Sequence, residues 1–235
     1  MSCTIVLNTR PSEQSSELSG LLRSAGFEVV EAPAIAIVPA WDAHNLEEVR
    51  LDLARGAFDW VVLPSQNAAR GLELELRDAG DRVVCGDSTA TALGLVNAWA
   101  IDRYSAAAAV AVLQPLARAG QRVLVPRAAE GREELVDGLR DLGLEVAAPV
   151  AYRTVPADAA RARLLQGDVE VVTLCSPSAA SSVASAVSPR MLVLALGQTT
   201  AAAARAAGLR VDGVAVRPTM TALVAAIQSA LAVRA

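Results

Sequence analysis

Residues 5–39 read IVLNTRPSEQSSELSGLLRSAGFEVVEAPAIAIVP, and residues 122–156 read RVLVPRAAEGREELVDGLRDLGLEVAAPVAYRTVP. Laid over one another at an offset of 117, the two stretches share 14 identities in 35 positions without a gap. Val6/Val123, Leu7/Leu124, Arg10/Arg127, Glu17/Glu134, Leu18/Leu135, Leu22/Leu139, Arg23/Arg140 and Gly26/Gly143 are among them, as are Val38-Pro39 and Val155-Pro156. Composition alone does not produce so dense a match, and self-similarity at this period marks a duplicated chain. A second block agrees at an offset of 111, where residues 61–69 lie over 172–180 and residues 86–92 lie over 197–203. The change of offset makes the connector 40–57 six residues longer than its counterpart 157–168.

Each half alternates strand-like and helix-like segments. Thr4–Thr9 is an apolar run of strand length, and Leu18, Leu21, Leu22 and Ala25 then fall on one helical face. Gly26 suits a helix C-cap, after which Glu28–Glu31 returns as a strand. The order recurs in Val123–Pro126, in Leu135, Leu139 and Leu142, in Gly143 and in Glu145–Ala147. Trp60–Leu63, Arg82–Cys85, Val171–Leu174 and Met191–Leu196 are further strands. Such unbroken apolar runs belong to parallel strands covered on both faces. The expected fold is therefore α/β, with two doubly wound parallel-sheet domains from an internal duplication. Pro33–Pro39 and Pro149–Pro156 are β-prone, bracketed by proline and without a helical pattern, and read as a two-stranded β linker. The function is expected in the cleft between the domains.

Composition narrows the possibilities. Hydrophobic residues make up 53% of the 235 and aromatics only 3%, so Ala, Val and Leu must build the core. The net charge of −4 gives no support to nucleic-acid binding, which needs clustered basic charge. The chain has no lysine at all, which excludes a Walker lysine, a Schiff base and a lysine nucleophile. Cys3, Cys85 and Cys175 stand at no metal-like spacing and read as free thiols in a reducing cytoplasm. The N-terminal residues have no basic region followed by a long apolar stretch, so no signal peptide is read there. Nor does any run reach the roughly 20 apolar residues of a membrane helix.

The candidate chemistry sits where strands give way to helices. Both halves present Ser-x-[Asn/Ser]-Ala-Ala after one strand and Gly-x-x-Thr-Ala-x-Ala after another. Ser65, Asn67, Ser176 and Ser178 suit N-caps, and Gly86 and Gly197 suit tight turns. Capping alone would account for each of them. Together they would also form a rim of backbone N–H groups and helix N-termini, where doubly wound proteins hold anions. Arg10 and Arg127 occupy matching places at strand ends, and arginine binds carboxylates bidentately, although an arginine on a loop is often merely solvated. Tyr152 has Ile35 as its counterpart, so the duplicated framework does not need a phenol there. It either packs or functions. The one histidine, His44, lies in a polar connector, and Glu133-Glu134 reads as a solvated helix face. No nucleophile elbow, dinucleotide glycine fingerprint or metal-binding cluster is present in the sequence.

These motifs, taken in order, resemble the uroporphyrinogen-III synthase family over essentially the whole chain. The resemblance is carried by Thr9-Arg10-Pro11, Phe58-Asp59-Trp60, Ser65-Gln66-Asn67-Ala68, Pro126-Arg127 and Gly131-Arg132. It continues through Tyr152-Arg153-Thr154-Val155-Pro156, Ser176-Pro177-Ser178, Gly197-Gln198-Thr199-Thr200-Ala201 and Pro218-Thr219. The resemblance implies one domain of residues 1–34 and 155–235, a second of 40–148, and linker strands at 35–39 and 149–154. It implies a cofactor-free, metal-free cytoplasmic lyase that dehydrates hydroxymethylbilane and closes it to uroporphyrinogen III with ring D inverted, in tetrapyrrole biosynthesis. Tyr152 would assist departure of the hydroxyl. Arg10, Ser65, Asn67, Gly86, Thr89, Arg127, Arg132, Ser176, Ser178, Gly197, Thr199 and Thr200 would hold the eight carboxylates of the bilane. The implied protein is a monomer that receives its substrate from hydroxymethylbilane synthase, without nucleic-acid or membrane partners. Pro64 and Cys175 depart from the family pattern, which more often has a hydroxyl residue there, and Asp87 adds a negative charge beside Gly86. Two other readings are a hinged small-molecule-binding protein and a catalytically silent regulatory relative.

Overall fold

A computed structural model describes residues 3–102, 104–131 and 133–234. Among them, the strands in chain order are β1 (Ile5–Asn8), β2 (Glu28–Glu31), β3 (Ile35–Pro39), β4 (Trp60–Leu63), β5 (Val83–Gly86), β6 (Trp99–Ile101) and β7 (Arg122–Leu124). They continue as β8 (Arg127–Ala128), β9 (Glu145–Ala147), β10 (Val150–Pro156), β11 (Val171–Leu174), β12 (Leu192–Ala195) and β13 (Gly213–Val214). The chain divides into two compact units, Met1–Ala36 with Val155–Ala235, and Ile37–Thr154.

The first unit holds a five-stranded sheet in the order β13-β12-β11-β1-β2, and the second holds one in the order β6-β5-β4-β7-β9. All strand pairs in both sheets are parallel. The two orders are the same order once duplicated strands are matched, β1 with β7, β2 with β9, β11 with β4 and β12 with β5. Each sheet therefore takes two strands from one half of the duplication and three from the other.

Successive residues of a strand face opposite sides, and both sides are buried. In β1, Val6 packs with Leu18, Leu22, Leu223 and Ile227, whereas Leu7 packs with Leu164, Val172 and Val183. In β4, Val61 and Leu63 join Phe58, Leu72 and Leu76, whereas Val62 joins Leu113, Val123 and Leu139. The scarcity of aromatics has its expected result, since the largest fully buried side chains are all leucines. Gly26 at φ +85° and Gly143 at φ +79° follow the matching helices Ser16–Ser24 and Glu134–Asp141, in the left-handed region that glycine enters freely.

The short strands differ from the sequence reading. The linker is not a two-stranded ribbon: β3, β10 and β8 form a three-stranded sheet, with β10 between the others. Arg127–Ala128, read as a strand end leading into a loop, runs parallel to β10 instead, with Tyr152 opposite Ala128. Two short edge strands, β6 with three residues and β13 with two, are not among the strands expected from the sequence. Among the described residues, no helix is long and apolar enough to cross a membrane.

Candidate active site

In an open parallel sheet, chain order reverses at one place, and ligands bind there, beyond the carboxyl ends of the strands. In the second unit the reversal lies between β4 and β7; in the first it lies between β11 and β1. Ser65 follows β4 and Arg127 follows β7, while Ser176 follows β11 and Arg10 follows β1. The duplicated serine and arginine thus flank the switch point of each sheet.

The second unit adds the phenol. Tyr152 OH and Ser65 Oγ lie 3.0 Å apart in a hydrogen bond across 87 residues of chain. The Tyr152 carbonyl accepts from the Ala129 amide at 2.9 Å, which anchors the backbone of the same residue. Arg127 donates from NH1 to Glu133 Oε1 at 2.6 Å, and its buried Nε has no partner. Glu133 itself is exposed, as its reading as a solvated face expects, and adds this ion pair.

In the first unit, Arg10 approaches Met220 Sδ at 2.8 Å and Gln14 Oε1 at 3.4 Å. Among the described residues no carboxylate pairs with Arg10, and its Nε is buried and unpartnered like that of Arg127. An arginine with unused donors at a switch point suits an incoming carboxylate. Cys175 lies beside it, and burial pushes this thiol up to about 11 against the opposing pull of the Arg10 guanidinium.

The remaining candidates sort by environment. Ser176 caps the helix Pro177–Val183, accepting from the Ala179 amide at 3.1 Å. Ser65 makes no such cap, and the segment after it, Gln66–Ala69, is a 3-10 turn containing Asn67. Ser178 is exposed in the first turn of its helix rather than capping it. Thr89 and Thr200, duplicates of one another, are both buried, whereas Thr199 is exposed. Gly86 and Gly197 do not serve tight turns, since both have extended backbone at φ −77° and −165°. A Cβ at Gly86 would meet Tyr104 Cβ at 3.1 Å, so packing explains that glycine, while nothing crowds Gly197. Asp87 is exposed at the first position of the helix Asp87–Leu93, where the helix dipole favours a carboxylate. Arg132 lies outside the described residues.

Sequence reasoning missed Tyr104. It follows β6, packs beside Gly86, and its buried hydroxyl has no partner. Burial holds this phenol well above its ordinary pKa, so it stays protonated. As the only tyrosine besides Tyr152, it was open to the same question.

The fold and these placements define a duplicated, doubly wound α/β protein with an arginine and a serine at each switch point and a phenol at one. The family model for uroporphyrinogen-III synthase HemD matches residues 16–225. A uroporphyrinogen-III synthase of Synechococcus elongatus is 31% identical over 187 residues, covering 73% of this chain and 70% of the relative. The solved uroporphyrinogen III synthase of Helicobacter pylori superposes with a TM-score of 0.63 at 16% identity, covering 99% of this chain and all of the other. A mutant of the Thermus thermophilus synthase gives 0.60 at 18% identity, covering 98% of this chain and 99% of its own. The chain belongs to the uroporphyrinogen-III synthase family of tetrapyrrole biosynthesis.

Proposed function

We propose that this chain is the cyclising lyase itself, acting on hydroxymethylbilane to form uroporphyrinogen III without a cofactor. Family membership over most of the chain speaks against a hinged binding module. The single observation that favours a working site is the Tyr152–Ser65 hydrogen bond at the switch point of the second unit.

The chemistry asks little of the protein as acid or base. The pyrrole nitrogen lone pair expels the hydroxyl from the terminal methylene, and Tyr152 donates a hydrogen bond, then a proton, to the departing oxygen, which leaves as water. The electron-poor carbon so formed is attacked by a pyrrole carbon at the other end of the chain. For the inverted product that carbon is the ring D position already bearing the methylene bridge, so the new carbon–carbon bond gives a spiro intermediate. The old bridge–ring D bond then breaks to leave an electron-poor methylene on the neighbouring ring. The free α carbon of ring D closes on it and loses the proton that restores Tyr152. What the enzyme adds is mainly orientation, so that closure with ring D inverted outruns the spontaneous, uninverted closure. Carboxylate anchors supply it: the guanidinium groups of Arg10 and Arg127, and the polar side chains and backbone amides at Asn67, Ser176, Ser178, Gly86, Thr89, Gly197, Thr199 and Thr200. Arg132 belongs to this set by the family motif alone. The enzyme acts as a cytoplasmic monomer that receives the short-lived bilane from the synthase that makes it.

Bilane generated in a coupled deaminase reaction, with the oxidised porphyrin isomers separated by chromatography, tests the reading. Isomer III is expected; isomer I alone overturns it. Tyr152→Phe is expected to lower turnover on the order of 100-fold, the usual scale for a lost proton donor, with little change in KM. Unchanged turnover would leave Tyr152 a packing residue.

A further inference from the structure

Ser65 and Ser176 are duplicates that stand in the same backbone conformation, at φ −160° and ψ 164° against φ −148° and ψ 156°. Their hydroxyls nevertheless do different things. Ser176 caps the helix that follows it, through the Ala179 amide. Ser65 leaves its own segment uncapped and reaches Tyr152 OH. The serines' own backbone is shared, but the turns after them differ: the Ala68 amide, the equivalent of Ala179's, donates to the Ser65 carbonyl at 3.0 Å, which leaves the Ser65 hydroxyl outside any cap.

The difference follows the phenol. The position equivalent to Tyr152 in the other half is Ile35, a buried aliphatic residue with nothing to offer a serine. Where the phenol is present, the serine turns to it and the following residues form the 3-10 turn Gln66–Ala69. Where it is absent, the serine caps the helix Pro177–Val183. A phenol on a β-strand can swing about two side-chain torsions. Here the strand fixes one end, with Ala129 donating to the Tyr152 carbonyl, and Ser65 fixes the other.

We infer that Ser65 is a positioning residue for the Tyr152 phenol rather than a carboxylate anchor. The inference rests on the proton-donor role proposed for Tyr152. A displacement of about 1 Å at a reacting group costs up to 100-fold in rate, so freeing the phenol is expected to lower kcat without touching binding.

Ser65→Ala is expected to reduce kcat about tenfold or more, on that same scale, with KM for bilane unchanged. Ser65→Thr, which keeps the hydroxyl on extended backbone, restores most of it. In the Tyr152→Phe background Ser65→Ala produces no further loss, because the group it served is gone. A raised KM with unchanged kcat would make Ser65 an anchor, and losses that multiply in the double variant would give it an independent role; either overturns the inference. The contact also has a readout that needs no turnover. With only two tyrosines in the chain, ring-labelled NMR resolves both, and the Tyr152→Phe spectrum assigns them. Ser65→Ala is expected to shift the Tyr152 signal and leave Tyr104 in place. An unmoved Tyr152 signal overturns the inference, whereas wild-type protein that yields only isomer I overturns the proposed function and leaves the contact standing.

Discussion

Cys175 stands at the end of β11, next to a guanidinium that draws a thiol toward its anion. Burial outweighs that pull and pushes the thiol up to about 11, and burial with Asp87 nearby does the same for Cys85. At neutral pH both remain thiols and poor nucleophiles, which agrees with a reaction that needs no covalent intermediate. The linkage has a definite sign. Below pH 9.0, the ordinary cysteine value, folded and unfolded chains both hold these protons. Above it the unfolded chain gives them up first, so folding stability falls from about pH 9 to about pH 11. Tyr104, raised by burial, adds to the loss at the alkaline end. Urea titrations at pH 8, 9 and 10 are expected to show declining midpoints, and Cys85→Ala with Cys175→Ala to flatten the decline. A decline of equal slope in that variant would rule out the buried thiols as its cause. Exposed Cys3 alone is expected to react with a thiol reagent at pH 8 in the folded protein.

At the scale of elements, the two serines separate stability from catalysis. Ser176→Ala removes a true N-cap and is expected to destabilise the first unit by about 1 kcal/mol, read as a lower denaturation midpoint. Ser65→Ala removes no cap and is expected to cost less stability while costing more activity. Equal destabilisation would mean that Ser65 serves its own turn after all. Much of this level was legible in the residues. The apolar runs Trp60–Leu63 and Val171–Leu174 are strands with the boundaries read for them, because a strand buried on both faces needs apolar side chains throughout. Edge strands escape that rule. β6 is three residues long and β13 two, so each is too short for an apolar run to mark it as a strand. The partners within the site were legible only as candidates. The duplication singled out Ser65, Arg127 and Tyr152, but a hydrogen bond between residues 87 apart is decided by sheet order, which no local pattern encodes.

For the molecule as a whole, the repeat in sequence and the unit in space do not coincide. Residues 1–117 form the first copy of the duplication, yet they hold β1 and β2 of one sheet and β4, β5 and β6 of the other. Each sheet would then lack the strand on the far side of its switch point, and Val6, Leu7, Val61 and Val62 would lose neighbours that bury them. The continuous segment 37–154, by contrast, contains all five strands of the second sheet with the Tyr152–Ser65 pair. Its two core clusters draw only on its own residues, and its length falls within the usual range for an independent domain. Expressed alone, 37–154 is expected to unfold in a single cooperative transition and to keep the NMR signature of the hydrogen-bonded phenol. The fragment 1–117 is expected to show neither. Cooperative folding of 1–117 would mean that the ancestral copy still forms a sheet of its own, and that strand exchange between the halves is an elaboration rather than the basis of the fold. The first unit needs both ends of the chain, so it forms only when residues 1–36 and 155–235 are supplied together.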